Sequence, residues 1–326
     1  RFAARCLLAM IGAAACGLTY RLGCEVAADD VALLAGLATA LSPPLVAFSP
    51  LLLSETAFAA TLTANLLLLA WLVRSPSQLM CGTGRTVLAF MAGLTGALAT
   101  YMRPTWLPVV PIAAVVHWWI GRKDHRRSWE AAVMVLGLAV GMAPWIARNT
   151  WVTGHVVITT LWDGPSLYDG LHPGATGQSD MTFFEQDQLL DHMSEYEMNK
   201  EYRRRAWAFV AANPGRTLEL AVSKGMRFWN VFPNADQFAD ARLRWALCLS
   251  TLPLFFFSII GVWVKRRDVI ALALTAGPIV FFGAVHLLFI GSIRYRLPAE
   301  YPLWILAAIG AHAAWQWWRP TPPAGA

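Results

Sequence analysis

The feature that most constrains this chain is a series of apolar runs long enough to cross a bilayer. A hydrocarbon core about 30 Å thick takes roughly 20 apolar residues in helical form. Nine stretches approach that length: 3–20, 31–48, 52–73, 86–102, 105–120, 129–147, 245–264, 269–290 and 301–318. Only 14% of the 326 residues are charged and 57% are hydrophobic, where a soluble chain carries roughly 25% charged residues. The pattern predicts an all-α, polytopic integral membrane protein of about nine transmembrane helices and excludes a disordered or ordinary soluble chain. Proline removes a backbone donor and clashes with the preceding turn, so Ser42-Pro43-Pro44 is expected to break the second stretch.

Three regions follow from this pattern. Residues 1–147 form an N-terminal bundle of six spans, 148–243 a polar segment, and 244–326 a C-terminal bundle of three spans. Alternate connections carry Arg21, then Arg74 and Arg85, then Arg122, Lys123, Arg126 and Arg127, then Lys265, Arg266 and Arg267, then Arg319. The positive-inside rule puts these on the cytoplasmic side. The expected location is therefore the cytoplasmic (inner) membrane, with residue 1 and the 148–243 segment external and the C-terminus cytoplasmic. An outer N-terminus that begins with Arg1 rather than Met is the pattern expected of a piece of a longer protein.

Within the polar segment, 150–181 is rich in Gly, Thr, Asp and Pro and reads as loop with short strands. From Thr182 the apolar residues recur near the helical period, and Asn213-Pro214-Gly215 marks a turn before a further helix. That helix sets Leu218, Leu220, Ala221, Met226, Phe228 and Trp229 against Arg216, Lys224 and Arg227. Such an amphipathic helix either lies along the membrane surface or packs on the spans. The five cysteines, Cys6, Cys16, Cys24, Cys81 and Cys248, are odd in number and lack a CxxC, which argues against a disulfide framework or a zinc site.

Arg103, Arg148, Arg294 and Arg296 break the charge rule. They sit at the outer ends of spans, each close to a proline, in Arg103-Pro104, Pro144-Trp145-Ile146-Ala147-Arg148-Asn149 and Arg294-Tyr295-Arg296-Leu297-Pro298. Cations at membrane depth are costly and face a cavity or a partner. Any one of these can form an ordinary salt bridge or snorkel to the headgroups. The nearest acids are Glu55, Asp163, Asp169 and Glu300, and four arginines at one face suit an anionic ligand, because arginine forks match phosphate oxygens. They predict a phosphate or pyrophosphate pocket at the outer surface. No GxxxxGK[ST] or GxGxxG segment follows a strand, so a lipid-linked phosphate fits better than a soluble nucleotide, and nothing points to nucleic acid.

The order of motifs resembles a known family. Ser42-Pro43-Pro44 followed by Ser54-Glu55-Thr56, then Gly93-Leu94-Thr95-Gly96-Ala97-Leu98-Ala99 leading to Arg103-Pro104, then Pro144-Trp145 with Arg148-Asn149, then Asn213-Pro214-Gly215 and finally Arg294-Tyr295-Arg296-Leu297-Pro298 are similar to motifs of the GT-C fold membrane glycosyltransferases. These include the bacterial relatives of dolichyl-phosphate-mannose protein mannosyltransferases and of the aminoarabinose transferases that modify lipid A. The resemblance runs over nearly the whole chain.

It implies transfer of a sugar from a polyprenyl-phosphate-linked donor to a lipid, glycan or protein acceptor. Arg294, Tyr295 and Arg296, with Arg103 and Arg148, become candidate ligands of the donor phosphate. Glu55, Asp163, Tyr168 and Asp169 become candidates for sugar contacts or for a divalent metal. Each also reads as a salt-bridge partner or a solvated turn. The family's catalytic aspartate lies in an external loop expected upstream of Arg1, so the resemblance assigns no catalytic residue to this chain. His286 and His312 read as hydrogen-bonded residues of their spans. A transporter or flippase for an anionic lipid-linked substrate is the alternative, although transporters tend to show paired halves broken near the midplane.

Overall fold

The structure is a computed structural model that describes residues 1–74, 82–232 and 241–319, without the side chains of 241–244 and 246. Cys81 and the proline-rich stretch 320–323 lie outside the described residues. Among the described residues the fold is all-helical, with no strand. The helices are α1 (Phe2–Cys24), α2 (Asp29–Leu41), α3 (Pro43–Phe48), α4 (Ser54–Arg74), α5 (Gly82–Met102), α6 (Val109–Ile120), α7 (His125–Thr153), α8 (Asp163–Gly170), α9 (Thr182–Asp187), α10 (Glu195–Ala212), α11 (Pro214–Trp229), α12 (Ala241–Lys265), α13 (Val269–Thr275), α14 (Gly277–Val285) and α15 (Ile293–Trp318). By length and composition, four of the described helical stretches can cross a membrane: Phe2–Cys24, Ser54–Arg74, His125–Thr153 and Leu247–Lys265. They indicate membrane association.

Two of the apolar runs are interrupted. The run 31–48 breaks at Ser42, where extended backbone precedes Pro43 at the start of α3. The run 269–290 divides between α13 and α14 and is not helical beyond Val285. The short strands expected within 150–181 are absent; α8 forms there instead. Its first turn docks on α10, where the Gly164 N–H donates to Asn199 Oδ1 at 2.6 Å and a Cβ on Gly164 would overlap the Asn199 carbonyl.

The chain divides into two units. The first comprises 1–81, 231–280 and 297–326. Within it the α12–α15 crossing is close because Gly261 and Gly310 lack side chains that would overlap the opposing backbone. Arg74 bonds both oxygens of Asp268, at 2.6 and 2.7 Å, and Asp268 also caps α13 by accepting from the Ala271 N–H. The Trp71 indole N–H donates to Glu25 at 2.8 Å.

The second unit comprises 82–230 and 281–296. Its centre is the α5–α7 pair, in which a Cβ on Gly93 would overlap the Met134 carbonyl and one on Gly137 the Phe90 carbonyl. Small residues at such crossings let helix backbones approach without a hydrophobic driving force, as in membrane helix pairs. Beneath this pair, Arg85, Glu130 and His117 are all buried: Arg85 bonds both Glu130 oxygens at 2.6 and 2.9 Å, and His117 Nε2 meets Glu130 at 2.8 Å.

The polar segment brings its own core to this unit, formed by Leu167, Leu171, Ala175, Ala206, Phe209 and Leu220. A capping box starts α10: Ser194 Oγ accepts from the Glu197 N–H while Glu197 accepts from the Ser194 N–H. Two unsatisfied donors of the first turn are thereby closed. Asn213 ends α10, and Pro214 opens α11 at a position where no N–H is needed.

Candidate functional site

A cavity of about 580 Å³ opens in the second unit, within the range that takes small ligands. Its wall starts where α5 ends: Arg103 adopts an extended backbone before Pro104, which cannot continue the helix. The rest of the lining includes Met142 and Trp145 of α7, the 159–163 segment, Ser166 and Asp169 of α8, and His286, Phe289, Ile290 and Tyr295. Trp145 is fixed by its indole N–H, which donates to the Thr159 carbonyl at 2.7 Å, and its ring lies 5.9 Å from that of Tyr101.

One cation enters the lining. The Arg103 guanidinium lies 4.8 Å above the Tyr295 ring, and Tyr295 stacks at 4.5 Å on His286, which in turn stacks at 5.8 Å on Phe228. His286 Nδ1 pairs with the Ile290 carbonyl at 2.8 Å, closing the non-helical turn that follows α14. The stack presents the guanidinium face to an aromatic ring, and arginine's planar fork is the side chain that matches oxyanions.

Two carboxylates line the cavity and differ in their partners. Asp169 is buried and fully engaged, with Ser179 Oγ donating at 2.7 Å and the Asp180 N–H at 2.8 Å. It holds the loop that follows α8. Asp163 receives the Arg203 guanidinium on Oδ2 at 2.5 Å, whereas its occluded Oδ1 has no hydrogen-bond partner.

Of the residues expected from the sequence, Arg103, Tyr295, Asp163 and Asp169 line this cavity together. Arg296 does not: it is buried, and its Nη1 donates to the carbonyls of Phe228 at 2.7 Å and Asn230 at 2.9 Å, tying the end of α11 to the start of α15. Arg148 is exposed, 5.5 Å from the Trp145 ring and bonded to Asn149 Oδ1. Arg294 is half-buried, and its backbone N–H donates to Ser292 Oγ. Tyr168 packs among Tyr202, Phe183 and His172 at 4.9 to 5.5 Å. Glu55, at the head of α4, is buried in the first unit. No group of three or more His, Cys, Asp or Glu among the described residues is placed to hold a metal ion.

Residues not anticipated as site residues are Trp145, His286 and Lys224. Lys224 is fully buried on α11, and its Nζ donates to the Leu288 carbonyl at 2.7 Å and the Leu287 carbonyl at 3.4 Å. Burial pulls its ammonium down to about 8, partly offset by the negative charge of Asp169. It braces the turn that carries His286 and Phe289 into the cavity wall. The sequence signal for Trp145 was its place beside Pro144; for Lys224 there was none beyond a charge on an apolar helix. Compared with known proteins, the chain matches no family model, no curated protein and no solved structure.

Proposed function

We propose that the chain is a polytopic membrane glycosyltransferase with a GT-C-like fold, acting on a polyprenyl-phosphate-linked sugar at the outer face of the cytoplasmic membrane. The observation that carries this reading is the cavity lined together by Arg103, stacked on Tyr295, and by Asp163 and Trp145. A single lining cation suits the one negative charge of a phosphodiester, held by charge-assisted hydrogen bonds. Aromatic faces at Trp145, Tyr101 and Trp162 suit the apolar face of a sugar ring, and the Asp163 carboxylate in the lining suits a sugar hydroxyl.

In the reaction, the acceptor oxygen bonds to the anomeric carbon while the bond from that carbon to the phosphate oxygen breaks. The acceptor proton passes to a base and polyprenyl phosphate departs with the bonding electrons. Arg103 stabilises the charge that grows on the departing phosphate, a contribution made in the transition state rather than in the ground state. Arg296, placed on backbone carbonyls, acts by positioning Tyr295 and not on the donor itself. The nine-pass topology is part of the proposal; it rests on the nine apolar runs of the sequence, of which four fall in described helices long and apolar enough to cross a membrane.

The test is binding of a photoactivatable polyprenyl-phosphate sugar to the chain in membranes. Cross-linking is expected to fall at least about tenfold in Arg103→Gln, the loss of one charge-assisted contact, and to persist in Arg216→Gln, which changes an exposed residue of α11. Equal cross-linking in Arg103→Gln and wild type, at equal expression, overturns the assignment.

A further inference from the structure

The corner between α6 and α7 carries a second cleft, of about 500 Å³, lined by Trp119, Ile120, Gly121, Arg122, Lys123 and Asp124. Arg122, Lys123 and Arg126 are exposed around it. Arg127 folds against Gly121, where a Cβ would overlap its side chain, and its occluded Nη1 has no hydrogen-bond partner. Gly121 thus admits a guanidinium beside the cleft and leaves one of its donors unused.

The local charge is unbalanced. Asp124 is the one carboxylate in 119–129, and its Oδ1 is committed to the Arg126 N–H at 2.9 Å as the cap of α7. Glu130 is neutralised from beneath by Arg85 and His117, so it does not compensate the corner. Four cations therefore face one carboxylate. Around them, Trp119 is 63% exposed and Trp129 60%, with Trp118 and Ile120 also exposed. Exposed tryptophans at the end of an apolar helix mark the headgroup level of a bilayer, and clustered cations there attract anionic lipid.

We infer that the α6–α7 corner is a binding site for the phosphate headgroup of an anionic phospholipid, with Arg122 and Lys123 as its principal cations and Trp119 packed against the glycerol and upper acyl chain. The site stands apart from the cavity and does not depend on the proposed glycosyl transfer.

The full chain, purified in detergent and stripped of lipid, is titrated with short-chain phosphatidylglycerol and phosphatidylcholine, with bound lipid counted by native mass spectrometry. Wild type is expected to prefer phosphatidylglycerol, and Arg122→Gln with Lys123→Gln to lose about fivefold of that preference per cation removed. Both side chains are exposed, so these changes leave folding intact; a circular dichroism spectrum matching wild type verifies this. Arg5→Gln, an exposed cation of α1, is expected to leave the preference unchanged. Equal affinity for the two lipids, retention of the preference in the double variant, or an equal loss in Arg5→Gln overturns the inference. Inorganic phosphate that displaces the lipid at equal concentration also overturns it, because the site would then be a simple anion site.

Discussion

Lys224 Nζ lies 2.7 Å from the Leu288 carbonyl, so the charged side chain of α11 points into the protein while Leu218, Val222, Met226 and Trp229 of the same helix are exposed. The buried ammonium is stabilised by carbonyl dipoles but loses its hydration, and its pKa falls to about 8. An unfolded lysine titrates near 10.4. Between about 8 and 10.4 the unfolded chain holds more protons than the folded one, so stability rises with pH through that window. The rise integrates to about 3 kcal/mol. Thermal unfolding in detergent is expected to show a midpoint that climbs between pH 8 and 10, with Lys224→Met lacking that climb.

The Arg85–Glu130–His117 cluster gives a second prediction. Removing one partner of a buried ion pair leaves an uncompensated charge and costs about 3–5 kcal/mol, whereas replacing both with apolar residues of similar volume is often neutral. Glu130→Leu is expected to lower the unfolding midpoint sharply, and Arg85→Met combined with Glu130→Leu to recover most of the loss. A double variant no more stable than the single one would show that the pair is worth more than its desolvation cost.

Close helix crossing separates two glycines. At Gly93 a methyl group meets the Met134 carbonyl and the Leu138 N–H, both backbone groups that cannot move aside. Gly93→Ala is expected to cost about 1–3 kcal/mol through overpacking. Gly17 of α1 has nothing within 4 Å of its ideal Cβ, so Gly17→Ala is expected to stabilise by up to about 1 kcal/mol through helix propensity. Paired unfolding curves of the two variants check both signs.

These residues also show how much of the protein was legible in its sequence. The apolar runs located the four helices long and apolar enough to cross a membrane, because length and composition decide whether a segment can meet a bilayer. The break at Ser42-Pro43-Pro44 and the start of α11 at Pro214 followed from proline chemistry. The arginine pattern gathered Arg103 and Tyr295 into one cavity, yet could not separate them from Arg296. Whether a guanidinium meets solvent or the carbonyls of Phe228 and Asn230 depends on how the end of α11 packs, which no local pattern encodes. The face of α11 was hidden for the same reason. Periodicity groups Lys224 with the polar residues, but the carbonyls freed by the non-helical turn after α14 accept a buried amine.

Tyr295 offers a final test, because its hydroxyl and its ring have separable roles. The ring lies between Arg103, at 4.8 Å, and His286, at 4.5 Å. If the ring holds the guanidinium in place, Tyr295→Phe retains the stack and binds a polyprenyl-phosphate sugar as wild type does. Tyr295→Leu keeps the apolar volume but loses the quadrupole, a contribution of about 0.5–2 kcal/mol for a cation on an aromatic face. Donor affinity is then expected to fall about tenfold, measured by cross-linking against donor concentration. Equal loss in both variants would instead assign the contribution to the hydroxyl, and the Arg103–Tyr295 contact would be incidental to binding.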